Sequence, residues 1–451
     1  MTERLSAELA AAGMSADEAK AKGPLFAAAR DALAAVGAPP PAMALFVPGR
    51  IEILGKHTDY AGGRSLLCAV ERGVCLLASP RTDDRIRVID ARTGEDAAFA
   101  FSPDLEPPVG HWSNYPMTVA RRVARNFPSA RRGVDIAFAS DLPRSAGVSS
   151  SSAVVIAVFM AIAETNALEQ TPEYRREIHS REALASYLGC VENGESFGTL
   201  AGDRGVGVFG GSQDQTAILC CAPRTVSQFS FTPVRAEGTV PLPDGLTFVV
   251  ANSGVLAEKA GAARDGYNRA SVATRVILRE WNEATRRDDR SLAAAVESGA
   301  GAASRIRDLL RQVDHAEYPP DVLIDRFDQF VEESTRLIPL ARAALERGDL
   351  DRFGALVDES QYNVERWLGN QIAQTVALQR QARRLGAVAA SAFGAGFGGS
   401  VWALVRTDGA REFASRWEAK YRQSFPEAAR ASEVFVTGAG PAATRLANPH
   451  S

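Results

Sequence analysis

Four consecutive serines, Ser149 to Ser152, stand just after Gly147 in the run Pro143-Arg144-Ser145-Ala146-Gly147-Val148-Ser149-Ser150-Ser151-Ser152-Ala153. The segment before it, Val134-Asp135-Ile136-Ala137-Phe138-Ala139, reads as a strand, and the apolar stretch Val154 to Ile162 after it reads, by length, as a buried helix. A strand, a small-residue turn and a helix aim free backbone N–H groups at an anion, and the helix N-terminus adds a partial positive charge. Serine hydroxyls add donors to phosphate and oxygen ligands for magnesium. The Gly-x-x-x-x-Gly-Lys-Ser/Thr pattern is absent, so any phosphate cradle here is of another kind. A serine run before a helix also serves as a plain N-cap, so its neighbours must decide.

The elements that would position such a turn can be read along the chain. Residues 5–36 are Ala-rich with helical spacing and end before Ala38-Pro39-Pro40-Pro41. Strands are expected over 43–55, 70–77 and 86–89, with Thr82-Asp83-Asp84 as a turn, then a helix over 113–126. Helices follow at 149–168 and 181–193, a Gly-rich segment at 194–212, and strands at 216–220, 227–231 and 246–251. The stretch 236–245 reads as a domain boundary. Helices dominate afterwards, at 256–285, 289–299, 302–313, 321–346, 350–368 and 371–385, with strands near 400–406 and 433–436 around a helix at 409–423. This mixture predicts an α+β protein of two lobes with a cleft between them.

Bulk properties narrow the function. The chain has 451 residues, 46% apolar and 23% charged, with a formal net charge of −3. That balance gives no electrostatic case for nucleic acid or a membrane surface. Arg121-Arg122 and Arg131-Arg132 read as solvated basic faces. Five cysteines without metal-type spacing suggest a reducing compartment, and five scattered histidines argue against a transition-metal site. No apolar signal core or long apolar span stands out, so the expected location is cytoplasmic.

Three segments in order carry a resemblance. They are Pro48-Gly49-Arg50-Ile51-Glu52-Ile53-Leu54-Gly55-Lys56-His57-Thr58-Asp59-Tyr60-Ala61-Gly62-Gly63, the serine turn, and Gly394-Ala395-Gly396-Phe397-Gly398-Gly399-Ser400. Together they resemble the GHMP small-molecule kinases and, within them, the galactokinases. His111-Trp112-Ser113-Asn114-Tyr115, Gly211-Ser212-Gln213-Asp214-Gln215, and Ala251-Asn252-Ser253 followed by Tyr267-Asn268-Arg269 are similar to further family segments, so the likeness runs over residues 43–405. It implies the two-lobed GHMP kinase fold, with mixed sheets, helices and an active-site cleft between the lobes. The implied division is a helical extension at 1–42, an N-terminal lobe at 43–240 and a C-terminal lobe at 241–451. It implies an ATP- and Mg²⁺-dependent kinase that phosphorylates the anomeric hydroxyl of galactose or a close relative. Sugar and ATP would be its partners, as a monomer or small homo-oligomer.

The resemblance also assigns roles. Gly147, Ser149, Ser150 and Ser151 would cradle the donor phosphates, Ser150 and Glu192 would hold magnesium, and Trp112 would lie by the adenine. Gly394, Gly396, Gly398 and Gly399 would support the loop. Asp214 would be the general base and Arg50 the cation beside it. A guanidinium favours the ionised carboxylate and makes it a weaker base, so positioning and charge stabilisation outweigh proton abstraction. His57, Asp59, Lys56 and Tyr267 would contact the sugar.

Some positions depart from the family pattern. Lys56 stands where galactokinases carry Glu, which replaces an acceptor with a donor. Two accounts follow: Lys56 reads the carboxylate of a uronic acid such as galacturonate, or it turns away or bonds a neutral hydroxyl and the substrate stays galactose or a close relative. Glu52 replaces an Asn, and on a strand it shares a face with Arg50, with which it is expected to pair. Ser145 replaces a Gly, Phe393 a Thr, and the lengthened stretch between Glu192 and Asp214 reads as a mobile loop at the cleft edge. A non-catalytic sugar and ATP sensor and a GHMP kinase for a non-sugar alcohol are the competing classes. Intact Arg50 and Asp214 argue against the first, and His57-Thr58-Asp59-Tyr60 against the second.

Overall fold

The computed structural model describes residues 1–143, 147–255 and 262–447. Its first sheet has eight strands, built around β1 (Met43–Leu54) and the long β2 (Arg64–Pro80). Then come β3 (Arg85–Asp90), β4 (Glu95–Ala100), β5 (Val134–Ser140), β6 (Thr225–Ser230) and β7 (Arg235–Pro241). β1 runs along one side of β2, while β5 and β6 pair with successive halves of the other side. β3 joins β5 in parallel; the other ladders are antiparallel.

Both faces of this sheet are covered. Met43, Leu45 and Val47 point into the main core, and the alternate residues Ala44 and Phe46 meet the N-terminal helices through Leu5, Leu9, Phe26 and Leu33. A strand buried on both faces reads as one apolar run. The register of β1 against β2 shifts between Pro48 and Arg50 and again between Glu52 and Leu54. Proline cannot donate to the ladder, and such irregularities re-aim side chains locally. Arg50 and Glu52 sit between the two shifts.

The second sheet has four antiparallel strands, in the order β11 (Glu433–Thr437), β8 (Leu246–Asn252), β10 (Ser400–Arg406), β9 (Ala389–Phe393). The main core joins both sheets, since Phe248, Trp402 and Phe393 share it with Ile51 and Val148. A separate helical cluster gathers Trp281, Leu292, Ile306, Phe327 and Phe330, and Ala61 from the loop after β1 packs into it. The expected division at 240/241 falls at the last residue of β7, before β8 begins. The last strand, β12 (Thr444–Leu446), crosses back to pair with β1. Among the described residues no helix is long and apolar enough to cross a membrane, and all five cysteines are free.

Several expectations are corrected. Residues 216–220 are helical, within Gln213–Cys220, because a short buried apolar run does not distinguish strand from helix. β4, β7, β9 and β12 were not foreseen as strands, β7 covering the first part of the stretch 236–245. The helix over 5–36 is three helices, Thr2–Ala11, Ala16–Ala21 and Gly23–Ala35, the first break lying at Gly13 with φ +100. The helix expected from 256 is described from Ala262 onward.

Arg121 and Arg122 are buried, contrary to a solvated reading. Arg121 forms an ion pair with Asp203 at 2.8 Å, and Arg122 donates to Asn126 Oδ1 at 2.7 Å and to the Glu195 carbonyl at 2.6 Å. Arg131 and Arg132 are exposed, as expected. The two buried arginines tie down the stretch after Glu192, where Asn126 also donates to the Ala201 carbonyl at 3.1 Å and Asn193 to Gly210 at 2.9 Å.

Candidate active site

β1, the serine turn, the helix Gln213–Cys220 and the last Gly-rich loop converge on a cleft of about 1050 Å³. Arg50, Glu52, His57, Asp59, Trp112, Gly147, Ser149, Ser150, Ser151, Glu192, Asp214, Tyr267, Gly394 and Gly396 all line it. Trp112 is half-buried there. Glu192 sits in the last turn of the helix Arg181–Asn193.

Arg50 is the hub. Its Nε and Nη2 both lie 2.8 Å from Asp214 Oδ1, and its Nη1 donates to the Gly147 carbonyl. Its backbone N–H donates to the Val148 carbonyl at 3.3 Å, so the serine turn is held by main chain and side chain of one residue. The guanidinium also lies 5.6 Å from the centroid of the Phe393 ring, a cation–π contact that the family's Thr would not make. The Arg50 side chain is 5% exposed and that of Asp214 23%, so the pair is screened little on one side and reachable on the other. Asp214 stands in the first turn of its helix, where the dipole favours a carboxylate.

The turn itself needs unusual backbone. Gly147 has φ 72 and Ser149 φ 61, both left-handed, and the helix begins at Ser150. Ser149 Oγ is buried and has no hydrogen-bond partner among the described residues. A Cβ on Gly394 would lie 3.1 Å from the Gly147 carbonyl oxygen, so the first and last Gly-rich segments touch through backbone. Ser145 lies outside the described residues.

The loop after β1 is tied to both neighbours. Asp59 Oδ2 accepts the Gln213 N–H at 3.1 Å, so Asp59 holds the start of the helix that carries Asp214. Burial pushes the Asp59 carboxyl up to about 6, with the Gln213 N–H pulling it back and Asp214 raising it further. Gly211 has no room for a side chain, since a Cβ would lie 2.5 Å from Asp59 Oδ2. His57 Nε2 faces the Ala395 carbonyl at 3.1 Å and Nδ1 faces the Tyr60 hydroxyl at 2.9 Å. A carbonyl only accepts, which assigns the hydrogen to Nε2 and leaves Nδ1 to accept from Tyr60. Burial, and then the Arg326 cation, lower its pKa to about 3, so the ring is neutral. Tyr267 packs against it with ring centroids 4.9 Å apart.

Lys56 stands apart from this group. It is fully buried, does not line the cleft, and donates to Ser391 Oγ at 2.8 Å, which donates on to Gln361 Oε1 at 3.0 Å. Glu52 lines the cleft, and the expected bond between Glu52 and Arg50 is absent among the described residues because Arg50 is committed to Asp214 and Gly147.

A further set of residues, not foreseen from sequence, positions the loop. Arg326 Nη2 donates to the His57 carbonyl, Gln329 Nε2 to the Lys56 carbonyl at 3.1 Å, and Glu333 Oε1 accepts the Gly55 N–H at 2.8 Å. Ser334 Oγ accepts the Arg64 N–H at 3.0 Å. The spacing of 326, 329 and 333 places all three on one helical face, directed at three consecutive residues, Gly55, Lys56 and His57. In sequence, such a polar stripe looks like a solvated face.

Family signatures match in three places. The galactokinase galactose-binding signature covers residues 34–80, the GHMP kinase N-terminal domain 114–221 and the GHMP kinase C-terminal domain 341–423. A galactokinase of Roseiflexus sp. is 30% identical over 372 residues, 81% of this chain and 84% of the relative. A galactokinase of Chloroflexus aggregans is 28% identical, over 85% and 88%. The structure of Lactococcus lactis galactokinase complexed with galactose superposes with a TM-score of 0.73 at 23% identity, over 90% of this chain and 95% of that one. A mevalonate kinase superposes with a TM-score of 0.53 at 12% identity, over 88% and 98%, and so shares the fold. With GHMP kinase signatures in both halves and a 30% identical relative matched over most of its length, the chain belongs to the galactokinase family of the GHMP kinases.

Proposed function

We propose that this chain is an ATP- and Mg²⁺-dependent sugar kinase that phosphorylates the anomeric hydroxyl of galactose or a close relative, giving the sugar 1-phosphate. The observation that carries the reading is the Arg50 bridge, which joins Asp214 at 2.8 Å to the carbonyl of Gly147 in the phosphate turn. A kinase must bring an acceptor hydroxyl and a donor phosphoryl group together, and one buried cation here connects the groups suited to each.

Asp214 accepts a hydrogen bond from the acceptor hydroxyl and takes its proton as the phosphoryl group leaves the donor. Arg50 faces both ends of that transfer and offsets the charge spread over the phosphoryl oxygens. Little proton abstraction is needed early in a loose transition state, so an arginine-paired carboxylate suffices. His57, Asp59 and Tyr267 form the wall on which the sugar is oriented, and holding it there supplies much of the rate. Ser149, Ser150 and Ser151, with the backbone N–H groups at the helix start, receive the donor phosphates. The half-buried Trp112 offers a face to the adenine.

The residues present fit a magnesium ion. No cluster of three His, Cys, Asp or Glu side chains stands ready for a metal among the described residues, and magnesium at nucleotide sites needs only one or two protein oxygens beside phosphate and water. Ser150 and Glu192 line the same cleft and would hold it. Bound there, the ion would supply neutralisation of the donor phosphates. The test is ADP release with Mg-ATP over a panel of galactose, N-acetylgalactosamine, arabinose, galacturonate and glucuronate. Release with one sugar and none from Asp214→Ala supports the reading. Sugar and ATP binding without release would make the chain a sensor.

A further inference from the structure

Glu52 is a buried cleft residue to which the chemistry above gives no task. It sits between the two register shifts of β1, is 2% exposed, lines the cleft, and its Oε1 meets no hydrogen-bond donor among the described residues. A buried carboxyl oxygen without a donor is destabilising, and the side of Glu52 open to a ligand is the cleft. The two neighbouring cations do not fill the gap. Arg50 is committed to Asp214 and Gly147, and Lys56 to Ser391. Burial pushes the Glu52 carboxyl up to about 7, Lys56 and Arg50 pull it back through space, and Glu333 and Asp214 raise it.

A sugar hydroxyl would supply the missing donor. A uronate carboxylate would not, because it brings a second negative charge against Glu52, and like-charge contacts discriminate strongly against the wrong ligand. The cation that could welcome an acidic sugar is Lys56, and it is buried outside the cleft lining. We infer that Glu52 is a specificity-determining residue of the acceptor site, taking a hydrogen bond from a hydroxyl of a neutral sugar and rejecting acidic sugars, with Lys56 as its buried counter-charge. This inference rests on the sugar-kinase reading and names its substrate class as neutral.

The experiment measures binding of galactose and galacturonate by calorimetry, and kcat/KM for both by ADP release, at pH 8 for the wild type and Glu52→Gln. Wild type should bind galactose at least about 10-fold more tightly than galacturonate. In Glu52→Gln the ratio of galacturonate to galactose kcat/KM should rise on the order of 100-fold, because the repulsion goes while the Lys56 charge stays. One singly deoxygenated galactose should lose about 10-fold or more in wild type and less than about 3-fold in Glu52→Gln, since the same hydrogen bond cannot be removed twice. Tighter galacturonate binding by wild type overturns the inference without any variant. An equal fall in kcat on every sugar, with the ratio unchanged, also overturns it and makes Glu52 a support for Arg50. ADP release with preference for the uronate leaves the kinase reading standing and removes this one. Selective galactose binding without ADP release does the reverse. Binding of neither sugar removes both.

Discussion

Replacing Glu52 by glutamine should change how stability depends on pH. Burial raises the Glu52 carboxyl from 4.5 to about 7 in the fold. At about 1.4 kcal/mol per unit, ionising it in the folded protein costs about 3 kcal/mol more than in the unfolded chain. The sign follows from the raised folded value. Below pH 4.5 the group is protonated in both states and stability is full. As pH rises from there, the unfolded chain releases the proton first, and the contribution is lost by the time pH has passed about 7. Glutamine has no proton to release, so the variant escapes that loss. The pull of Lys56 and Arg50 is already contained in the net shift, because a protonated glutamic acid and a glutamine leave the same cations behind. Asp59, raised to about 6, adds a slope of the same sign, and His57, lowered to about 3, adds the opposite one, present above 6.5 and lost as pH falls. Both are common to the two proteins and cancel in the difference. Urea unfolding at pH 5, 6, 7 and 8 should therefore show a variant more stable by less than about 1 kcal/mol at pH 5, the difference growing to about 3 kcal/mol at pH 8. A difference independent of pH, or a wild type that gains on the variant as pH rises, would refute the buried, donor-poor carboxyl on which the reasoning stands.

Asp214→Ala should lower sugar-dependent ADP release by about 1000-fold or more while ATP affinity stays within about 3-fold, read by single-turnover kinetics and nucleotide titration. Glu333→Ala removes the acceptor of the Gly55 N–H and should raise the sugar KM by about 10-fold with little change in the ATP KM, as expected for loss of a charge-assisted hydrogen bond of about 1.5–3 kcal/mol. Equal changes in both KM values would mark Glu333 as a general stabiliser. Gly211→Ala puts a methyl group 2.5 Å from Asp59 Oδ2 and should reduce sugar kcat/KM by about 10-fold or more without weakening nucleotide binding; unchanged sugar kinetics would show that Asp59 can move aside.

Much of this protein is legible in its chain because local chemistry leaves little choice. The serine turn, the strand before it and the helix after it follow from small residues placed between two apolar runs, and Val134–Ser140 and Ser150–Thr165 lie where those runs put them. Arg50, Asp59, Asp214 and the Gly-rich loop are recognisable by type and order. What needed the folded chain was each decision that depends on a distant partner. Residues 216–220 are helical because that packing buries them beside β1 and β2, a choice that a five-residue apolar run does not encode. Arg121 and Arg122 are buried because Asp203 and backbone carbonyls of the Glu192–Asp214 stretch receive them. Arg326, Gln329 and Glu333 matter through main-chain groups some 270 residues away in sequence, as the separations of 269, 273 and 278 show. Lys56 and Glu52 make the same point at the acceptor site. Charge and spacing place both near the sugar, but two register shifts in β1 and a hydroxyl on β9 decide that the lysine points into protein and the glutamate into the cleft. Side-chain direction is set by the surfaces a strand must bury, and those surfaces come together only when the lobes fold.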